Sequence, residues 1–389
     1  MNGKSDKAVH KETGKTYKYA KKSGKRRKSR FVFKFLSGII SMGIISGAVI
    51  LAGAAFLNAP PSGSPDLFQA SLSFPLSVNS PPAMRLDGNG ALIIEVRSGE
   101  TSQSVGRRLE SAGIIRHQYF WNLLARISND HIRVGTYRIE LPASQTSIRA
   151  VLTSGEQMMV RVTIPEGLTV RRTAEILENA GVTNAHDFIA AASSPEILAA
   201  FNIPGYTMEG YLFPDTYLFP LSYPAERVVT AMANNFFNQL ARVAPEGLQM
   251  SPGELNERVI MASIVEREFR LREEAALMAG VFFRRLEIGM ALQSCATVVY
   301  VLTEKLGRPH PSRLFYRDLE VVSPFNTYMH RGLPPAPIAS PGVTSLLAAF
   351  NPIRTDYLFF RLVDPADGRH FFSRTLLEHN RAEALFVRQ

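Results

Sequence analysis

Residues 251–268 read SPGELNERVIMASIVERE, and they decide how the C-terminal half of the chain is organised. Ser251, a proline after it and Glu254 three residues on form a capping-box pattern, which predicts a helix that starts here. The apolar positions at helical spacing are Leu255, Val259 and Ala262. The next position on their stripe is Glu266, so the pattern places a carboxyl group on the face expected to be buried.

Glu266 allows two interpretations. A carboxyl group among apolar side chains is costly to ionise, so its pKa should rise and it would donate a proton near neutral pH, as a glycosidase acid does. The alternative is that the helix frays by residue 266 and Glu266 joins Arg267 and Glu268 in a solvated run. Helical spacing alone favours this second interpretation, because exposed glutamate is common at helix ends.

An internal repeat of a strand, a turn and a helix precedes this helix. Segment 97–114 reads RSGETSQSVGRRLESAGI, and segment 165–182 reads PEGLTVRRTAEILENAGV. Each copy has a glycine turn, a threonine suited to capping a helix and a closing glycine. The capping threonines are Thr101 and Thr169, and the closing glycines are Gly113 and Gly181. Alternating β-branched patterns predict the preceding strands over 92–96 and 160–164.

The first copy extends into a small module. A second helix over 117–127 and a return strand over 135–140 complete the order β-α-α-β. This order resembles a LysM-type glycan-binding domain, which we assign to residues 91–158. A small α+β spacer without a ligand fits the same pattern equally well.

The N-terminal part of the chain is strongly basic and then strongly apolar. Residues 1–30 carry twelve Lys or Arg against two acids, and their net charge of +10 equals that of the whole chain. We expect residues 1–34 to be a disordered tail, because they are too polar to fold alone. The rest of the chain has no base-reading signature, so no nucleic-acid partner is expected.

Residues 35–57 are predicted to span a membrane. These 23 residues carry no charge, and at about 1.5 Å per residue they cross a hydrocarbon core of about 30 Å. A signal peptide is the alternative, but the apolar run is longer than a usual h-region. We expect an uncleaved anchor with the tail in the cytoplasm, the C-terminal part on the other face and a Pro/Ser-rich linker over 58–90.

Two segments combine aromatic, proline and polar residues. Residues 209–217, EGYLFPDTY, suit sugar binding, because rings stack on pyranose faces and carboxylates accept hydroxyl hydrogen bonds. They equally suit an ordered, buried loop. Residues 323–342, SPFNTYMHRGLPPAPIASPG, predict a stiff, extended loop with Asn326 and Tyr328 as its polar contacts. An amphipathic helix is predicted over 281–288.

The sequence contains no motif typical of a metal or cofactor site. The eight His are scattered singly, and no HExxH spacing occurs, so neither a metal site nor another cofactor is predicted. No GxSxG elbow, Walker loop or GxGxxG fingerprint is present. Cys295 is the only cysteine, which excludes an internal disulfide.

Several of these motifs together resemble one family, the endolytic murein transglycosylases (the YceG-like family). The similar motifs are VTIPEG over 162–167, the segment over 209–217, MASIVERE over 261–268, the stretch over 284–293 and the loop over 326–342. Their order and spacing are those of the family, and the likeness covers residues 90–385. A single N-terminal anchor and a LysM-like module are also family features.

The resemblance implies a lytic transglycosylase that needs no cofactor. Glu266 falls on the family's catalytic acid, which would protonate the oxygen between N-acetylmuramic acid and N-acetylglucosamine. The same residue would then take the proton of the muramic acid 6-hydroxyl as that oxygen attacks C1. The product is a 1,6-anhydro end that terminates strand elongation. The residues predicted to position the glycan are Glu268, Gln293, Ser294, Thr297, Asn326 and Tyr328.

The resemblance also implies a fold, a location and partners. We predict an α+β protein with one transmembrane helix, the LysM-like module and a larger α+β catalytic domain over 159–389. The chain would be anchored in the cytoplasmic (inner) membrane by residues 35–57, with the catalytic domain outside the cytoplasm. Its partners would be peptidoglycan glycan strands and, among proteins, peptidoglycan synthases.

Two departures and two alternatives accompany the resemblance. Cys295 and Ala296 stand where many relatives have Asp-Pro, and Ala336 stands where glycine is usual, so no second carboxylate is assigned as a nucleophile. One alternative is a membrane-tethered, glycan-binding scaffold without catalysis. The other is an inverting hydrolase with Glu266 as the acid and Glu209 or Asp215 as the base.

Overall fold

A computed structural model of the chain describes residues 26–62, 84–364 and 366–386. Helices and strands are mixed in these residues, as the α+β prediction requires. The buried apolar side chains form two cores, one between Met84 and Leu152 and one between Val162 and Phe350. Residues 1–25 of the predicted tail and residues 63–83 of the predicted linker lie outside the described residues.

Helix α1 spans Arg26–Asn58, so the helix begins before the predicted boundary at residue 35. Lysine and arginine are good helix formers, and each added residue gains a hydrogen bond, so the helix extends back from the apolar segment into basic residues. The predicted disorder is therefore corrected for residues 26–34. Within the described residues, Ile40–Asn58 is the stretch long and apolar enough to be a candidate membrane span.

A small module follows, built around a three-stranded antiparallel sheet. Its elements are β1 (Met84–Leu86), β2 (Leu92–Val96), α2 (Ser102–Ser111), α3 (Gln118–Ser128), β3 (Gly135–Ile139) and α4 (Gln145–Ser154). The strand order is β1-β2-β3, and the predicted β-α-α-β order is present. Strand β1 lies inside the predicted linker over 58–90, because residues 84–86 pair with β2. Glycan binding by this module stays a prediction.

The internal repeat is confirmed as two strand–turn–helix units. The second unit consists of β4 (Met159–Thr163) and α5 (Val170–Asn179). Thr101 Oγ1 accepts a hydrogen bond from Ser104 N–H at 3.2 Å, and Thr169 Oγ1 accepts one from Arg172 N–H at 3.3 Å. Both closing glycines have a left-handed backbone, with φ of 69° at Gly113 and 71° at Gly181, as a helix C-terminus favours.

The larger part of the chain is mainly helical, with two short strand pairs. Its further helices are α6 (Ala185–Ala191), α7 (Pro195–Ala200), α8 (Ala225–Val243), α9 (Pro252–Glu266), α10 (Ala275–Glu287), α11 (Cys295–Tyr300), α12 (Tyr316–Leu319), α13 (Val343–Phe350) and α14 (Leu376–Phe386). Its further strands are β5 (Thr216–Pro220), β6 (Phe359–Asp364) and β7 (Arg369–Ser373). Antiparallel pairs join β4 to β5 and β6 to β7. Helices α9, α10 and α13 pack against one another.

Residues 209–214 form an ordered, buried loop, which is one of the two predicted interpretations of the 209–217 segment, whereas Asp215 and Thr216 are exposed and Thr216 begins β5. Glu209 is 5% exposed, and its carboxylate accepts a hydrogen bond from Val170 N–H at 3.1 Å, at the first residue of α5. Tyr211 is 1% exposed and donates its hydroxyl to Asn256 Oδ1 at 3.0 Å. Burial raises the pKa of Glu209 to about 8. This loop therefore joins α5 to the helical core.

The buried Glu209 predicts a pH-dependent gain in stability for Glu209→Gln. The folded protein keeps this proton up to a pKa of about 8, whereas the unfolded chain loses it near its ordinary value. Wild-type stability therefore falls as pH rises between these values. Glutamine keeps an acceptor for Val170 N–H without that cost. Melting temperatures at pH 5, 6.5 and 8 should favour the variant increasingly, by several degrees at pH 8.

Glu257→Gln is the matched control for this experiment, because Glu257 is exposed on α9. Its melting temperature should differ from that of the wild type by the same amount at each pH. A difference for Glu209→Gln that is equally constant would contradict the assignment of a buried, protonated Glu209.

Candidate active site

Glu266 is the last residue of helix α9. The predicted capping box is present at the start of the helix. Ser251 Oγ accepts a hydrogen bond from Glu254 N–H at 3.3 Å, and Ser251 N–H donates to the Glu254 carboxylate at 2.9 Å. The stripe residues Leu255, Val259 and Ala262 are buried. The predicted helix start and its buried face are therefore confirmed, and the helix does not fray before residue 266.

The Glu266 carboxylate is bonded to the start of helix α13. Its Oε2 accepts one hydrogen bond from Gly342 N–H at 2.9 Å and one from Ser345 Oγ at 2.6 Å. Gly342 is the N-cap of α13, so the carboxylate lies where unpaired N–H groups and the helix dipole attract an anion. Neither partner is apparent from the sequence pattern. Glu266 is thus part-buried and held, and it does not belong to a solvated run.

Burial raises the pKa of Glu266 above its usual value. The hydrogen bonds from Ser345 and Gly342 act in the opposite direction, and the negative charge of Glu166 adds to the rise. Because the net shift is upward, this carboxyl group keeps its proton to a higher pH than a solvated glutamate does. A general acid requires this property.

Glu166 is a second carboxylate at this place, and sequence analysis did not single it out. A Cβ atom on Gly342 would lie 1.9 Å from Glu166 Oε1, so the Glu166 side chain lies directly against this glycine. A Cβ atom on Gly167 would lie 3.6 Å from Glu266 Cγ. The available signal was the Pro-Glu-Gly turn within the VTIPEG motif. Both carboxylates therefore contact the backbone at Gly342.

The proline-rich loop over 323–342 is fastened to two other segments. Gly167 N–H donates to the Ser340 carbonyl at 2.9 Å, and Ser340 N–H donates to the Leu168 carbonyl at 2.8 Å. Ser263, fully buried on α9, accepts a hydrogen bond from Ile338 N–H at 3.0 Å. These bonds bring Gly342 to the end of α9.

Glu268 lies two residues beyond the end of α9 and has different partners. Ser294 Oγ donates a hydrogen bond to Glu268 Oε1, and the backbone N–H of Ala296 donates to the same carboxylate. Burial raises the pKa of Glu268 as well. Because Ser294 and Ala296 stand at the start of α11, this carboxylate fixes that helix in place.

Three of the predicted glycan-positioning residues surround Thr327, which sequence analysis missed. Ser294 N–H donates to Thr327 Oγ1 at 3.0 Å, and the hydroxyls of Thr297 and Thr327 are 2.9 Å apart. Ser294 and Thr297 are buried, whereas the Gln293 side chain is exposed. Gln293 has a left-handed backbone with φ of 52°, and its N–H donates to the Thr327 carbonyl at 3.1 Å. Gln293 is therefore the member of this group whose side chain is open to solvent.

Asn326 is fully buried and shapes the start of the proline-rich loop. Its amide donates to the carbonyls of Leu319 and Val321, both at 2.8 Å, and its Oδ1 accepts a hydrogen bond from Tyr328 N–H at 3.0 Å. The Tyr328 hydroxyl lies 3.1 Å from Cys295 Sγ. Direct glycan contact by these residues stays a prediction.

A cavity of about 190 Å³ lies beside the turn that separates Glu266 from Glu268. Its lining includes Gly167, Arg267, Ala296, Tyr300 and Ile338. Arg267 Nη1 donates to the Gly167 carbonyl at 3.1 Å. The VTIPEG turn, the end of α9, the start of α11 and the proline-rich loop therefore meet in one region.

The two departures from the family pattern leave Glu266 undisturbed. Cys295 is exposed at the start of α11 and contacts Tyr328. Ala336 is not among the residues with a positive φ, so the loop does not need a glycine at this position.

The alternative bases Glu209 and Asp215 have structural partners of their own. Glu209 binds the start of α5, as described above. Asp215 accepts hydrogen bonds from Thr216 N–H at 2.7 Å and from Asn235 Nδ2 at 3.0 Å. In residues 26–62, 84–364 and 366–386, no three His, Cys, Asp or Glu side chains group together as metal ligands would.

The sequence matches one family over most of its length. A sequence model of the YceG-like family matches residues 94–384. The endolytic murein transglycosylase of Bacillus subtilis is 27% identical over 321 residues, which cover 77% of this chain and 86% of that protein. The corresponding protein of Streptococcus pneumoniae serotype 2 is 28% identical over 326 residues, covering 76% of this chain but 58% of its own length.

A solved structure supports the same assignment. The crystal structure of a YceG-like protein from Listeria monocytogenes superposes with a TM-score of 0.51 at 29% sequence identity. The match covers 75% of this chain and 98% of that chain. The family resemblance drawn from the motifs is confirmed, and the chain belongs to the YceG-like family.

Proposed function

We propose that the chain is a membrane-anchored lytic transglycosylase that cleaves peptidoglycan glycan strands internally. The observation that carries the proposal is the Glu266 carboxyl group, part-buried at the end of α9, with its pKa raised by burial. It stands in the motif that matches the family's catalytic acid. Relatives in Bacillus subtilis and Streptococcus pneumoniae are named endolytic murein transglycosylases.

The bonding of Glu266 suits proton donation from one oxygen. Gly342 N–H and Ser345 Oγ both donate to Oε2, and an oxygen that accepts two hydrogen bonds is the less basic of the pair. The proton is therefore held on Oε1. The two bonds also fix the direction in which Oε1 presents it, which a general acid needs.

The reaction balances with this one side chain. Glu266 gives its proton to the oxygen that links muramic acid C1 to N-acetylglucosamine, and the C1–O bond breaks. The muramic acid 6-hydroxyl oxygen attacks C1, and its proton passes to the Glu266 carboxylate. The products are a 1,6-anhydro end and a free N-acetylglucosamine hydroxyl, and no water is consumed. An intramolecular nucleophile gains effective molarity, so a second catalytic carboxylate is not required.

The remaining parts of the proposal concern placement and partners. Helix α1 anchors the chain in the cytoplasmic membrane, with the basic tail in the cytoplasm and the catalytic part outside it. At the outer face of the cytoplasmic membrane, the enzyme meets newly made glycan strands and terminates their elongation. Gln293 and Tyr328 position the strand, the LysM-like module binds it, and peptidoglycan synthases are the protein partners.

Glu266→Gln should reduce the release of 1,6-anhydro ends by roughly 10²–10⁴-fold, the usual contribution of a general acid–base group. Glutamine keeps an acceptor for Gly342 N–H and Ser345, so the fold should survive. The measurement is mass analysis of the ends that the full-length protein produces from uncrosslinked glycan strands. Glu257→Gln on the exposed face of the same helix is the control and should keep full activity.

The same assay separates the alternatives. Ends that carry added water would instead support an inverting hydrolase, and intact strands with the wild-type protein would support the non-catalytic scaffold. Full activity of Glu266→Gln would contradict the assignment of the acid even if the ends are anhydro.

Two variants should shift the alkaline limb of the pH profile in opposite directions. Activity needs protonated Glu266, so it falls as pH rises through the pKa of that group. Ser345 lowers this pKa by hydrogen bonding, and Ser345→Ala should therefore move the limb to higher pH. The charge of Glu166 raises the pKa, and Glu166→Gln should move the limb to lower pH. The measurement is kcat/KM for the release of anhydro ends as a function of pH.

The shift of Glu166→Gln is expected to be a fraction of a pH unit, because Glu166 is exposed and water screens its charge. Shifts of both variants in one direction, or a profile that neither variant moves, would be inconsistent with Glu266 as the titrating acid.

A further inference from the structure

Helix α3 of the small module carries an apolar stripe on its exposed side. Tyr119 is 74% exposed, Leu123 is 49% exposed and Ile127 is 72% exposed. Their spacing of four residues places them on one face of the helix. The opposite face buries Trp121 completely. An 11-residue helix thus presents three large apolar side chains to its surroundings while its other face is built into the core.

The segment that leads into α3 is bonded to the end of the candidate membrane helix α1. Arg116 donates to the carbonyls of Ala59 at 3.2 Å and Pro60 at 2.8 Å. The guanidinium of Arg116 also lies 4.5 Å from the ring centroid of Phe56. Arg116 precedes Tyr119 by three residues, which span about 10 Å of chain at most. The first residue of the stripe is therefore close to the end of α1.

The start of α4 holds the same helix end from another side. Gln145 Nε2 donates to the Leu57 carbonyl at 2.9 Å. Thr146 N–H donates to Asn58 Oδ1 at 2.9 Å, and Asn58 Nδ2 donates to Thr146 Oγ1 at 3.0 Å. Carbonyl groups in the last turn of a helix need such donors. Contacts from two segments thus fix the module to the C-terminal end of α1.

We propose that α3 lies in the headgroup region of the bilayer that α1 spans, with Tyr119, Leu123 and Ile127 inserted into it. The proposal rests on the membrane anchor proposed above and is independent of catalysis. Tyrosine favours the membrane interface, and leucine and isoleucine favour the acyl boundary below it. Helix α3, QYFWNLLARIS, contains no acid, and Arg126 is exposed on the same side, where a cation suits lipid phosphates.

Such docking fixes the distance of the module from the membrane surface and its orientation relative to the membrane. A module without contact to the membrane would sample many orientations relative to it. With α3 in the interface, the module stays beside the end of α1, so the strand–turn–helix repeat begins at the membrane surface. The occupant of the apolar stripe is therefore phospholipid.

The test compares two leucines with the same exposure, Leu123 on α3 and Leu248 just before α9, both 49% exposed. The full-length chain first receives Cys295→Ser, which removes its only cysteine. Leu123→Cys, Leu248→Cys and Ile50→Cys are then made singly, labelled with an environment-sensitive fluorophore and reconstituted into phospholipid vesicles. Quenching is measured with nitroxide-bearing lipids and with aqueous iodide.

At position 123 we expect strong quenching by nitroxide lipid and protection from iodide, and at position 248 the reverse. Equal iodide quenching at both positions, while the Ile50 label is quenched by lipid, would overturn the docking and leave the anchor intact. Protection at position 123 without lipid quenching would also overturn it, because a protein would then cover the stripe. An Ile50 label that lipid does not quench would remove the anchor and the docking together.

Discussion

The two hydrogen bonds on Glu266 Oε2 are the constraint from which the proposed active site follows. A general acid must be sufficiently shielded from water to keep its proton, and its carboxyl group must also have a fixed orientation. Burial satisfies the first requirement and raises the pKa, whereas each donated hydrogen bond lowers it. By converging on one oxygen, Gly342 N–H and Ser345 Oγ hold the carboxyl group and leave the other oxygen for the proton.

This arrangement depends on segments that are distant in the chain. Ser345 follows Glu266 by 79 residues, and Glu166 comes from the turn of the second repeat unit. The proline-rich loop over 323–342 is hydrogen-bonded to α9 through Ser263. Paired backbone hydrogen bonds near Gly167 join the same loop to the turn that carries Glu166. The end of α9 supplies the proposed acid, and the two fastened segments supply its surroundings. A change in the fastening would therefore act on the pKa of Glu266 without touching it.

The features predicted correctly from the sequence are those that depend on residues close together in the chain. The capping box at Ser251 and the caps at Thr101 and Thr169 link residues three apart, so they can be read from the chain. The residues that surround Glu266 are distant from it in the chain. No spacing rule therefore predicts that Ser345 or Glu166 lies beside it. A polar residue in a loop either meets a ligand or satisfies the backbone, and sequence does not separate these cases. Asn326 and Thr297, predicted to position glycan, are buried with protein partners for this reason.

Glu266 and Glu268 both have a raised pKa, so the pKa alone does not distinguish the proposed acid from its neighbour. Burial raises the pKa of both, and both accept hydrogen bonds at the start of a helix. The Glu268 bonds, however, come from Ser294 and Ala296, and they serve to set the start of α11. Glu268 is therefore engaged in holding the loop that bears Gln293, whereas both hydrogen bonds to Glu266 reach Oε2. The partners of each carboxylate therefore distinguish the proposed proton donor, Glu266, from a glutamate that holds a neighbouring helix start, Glu268.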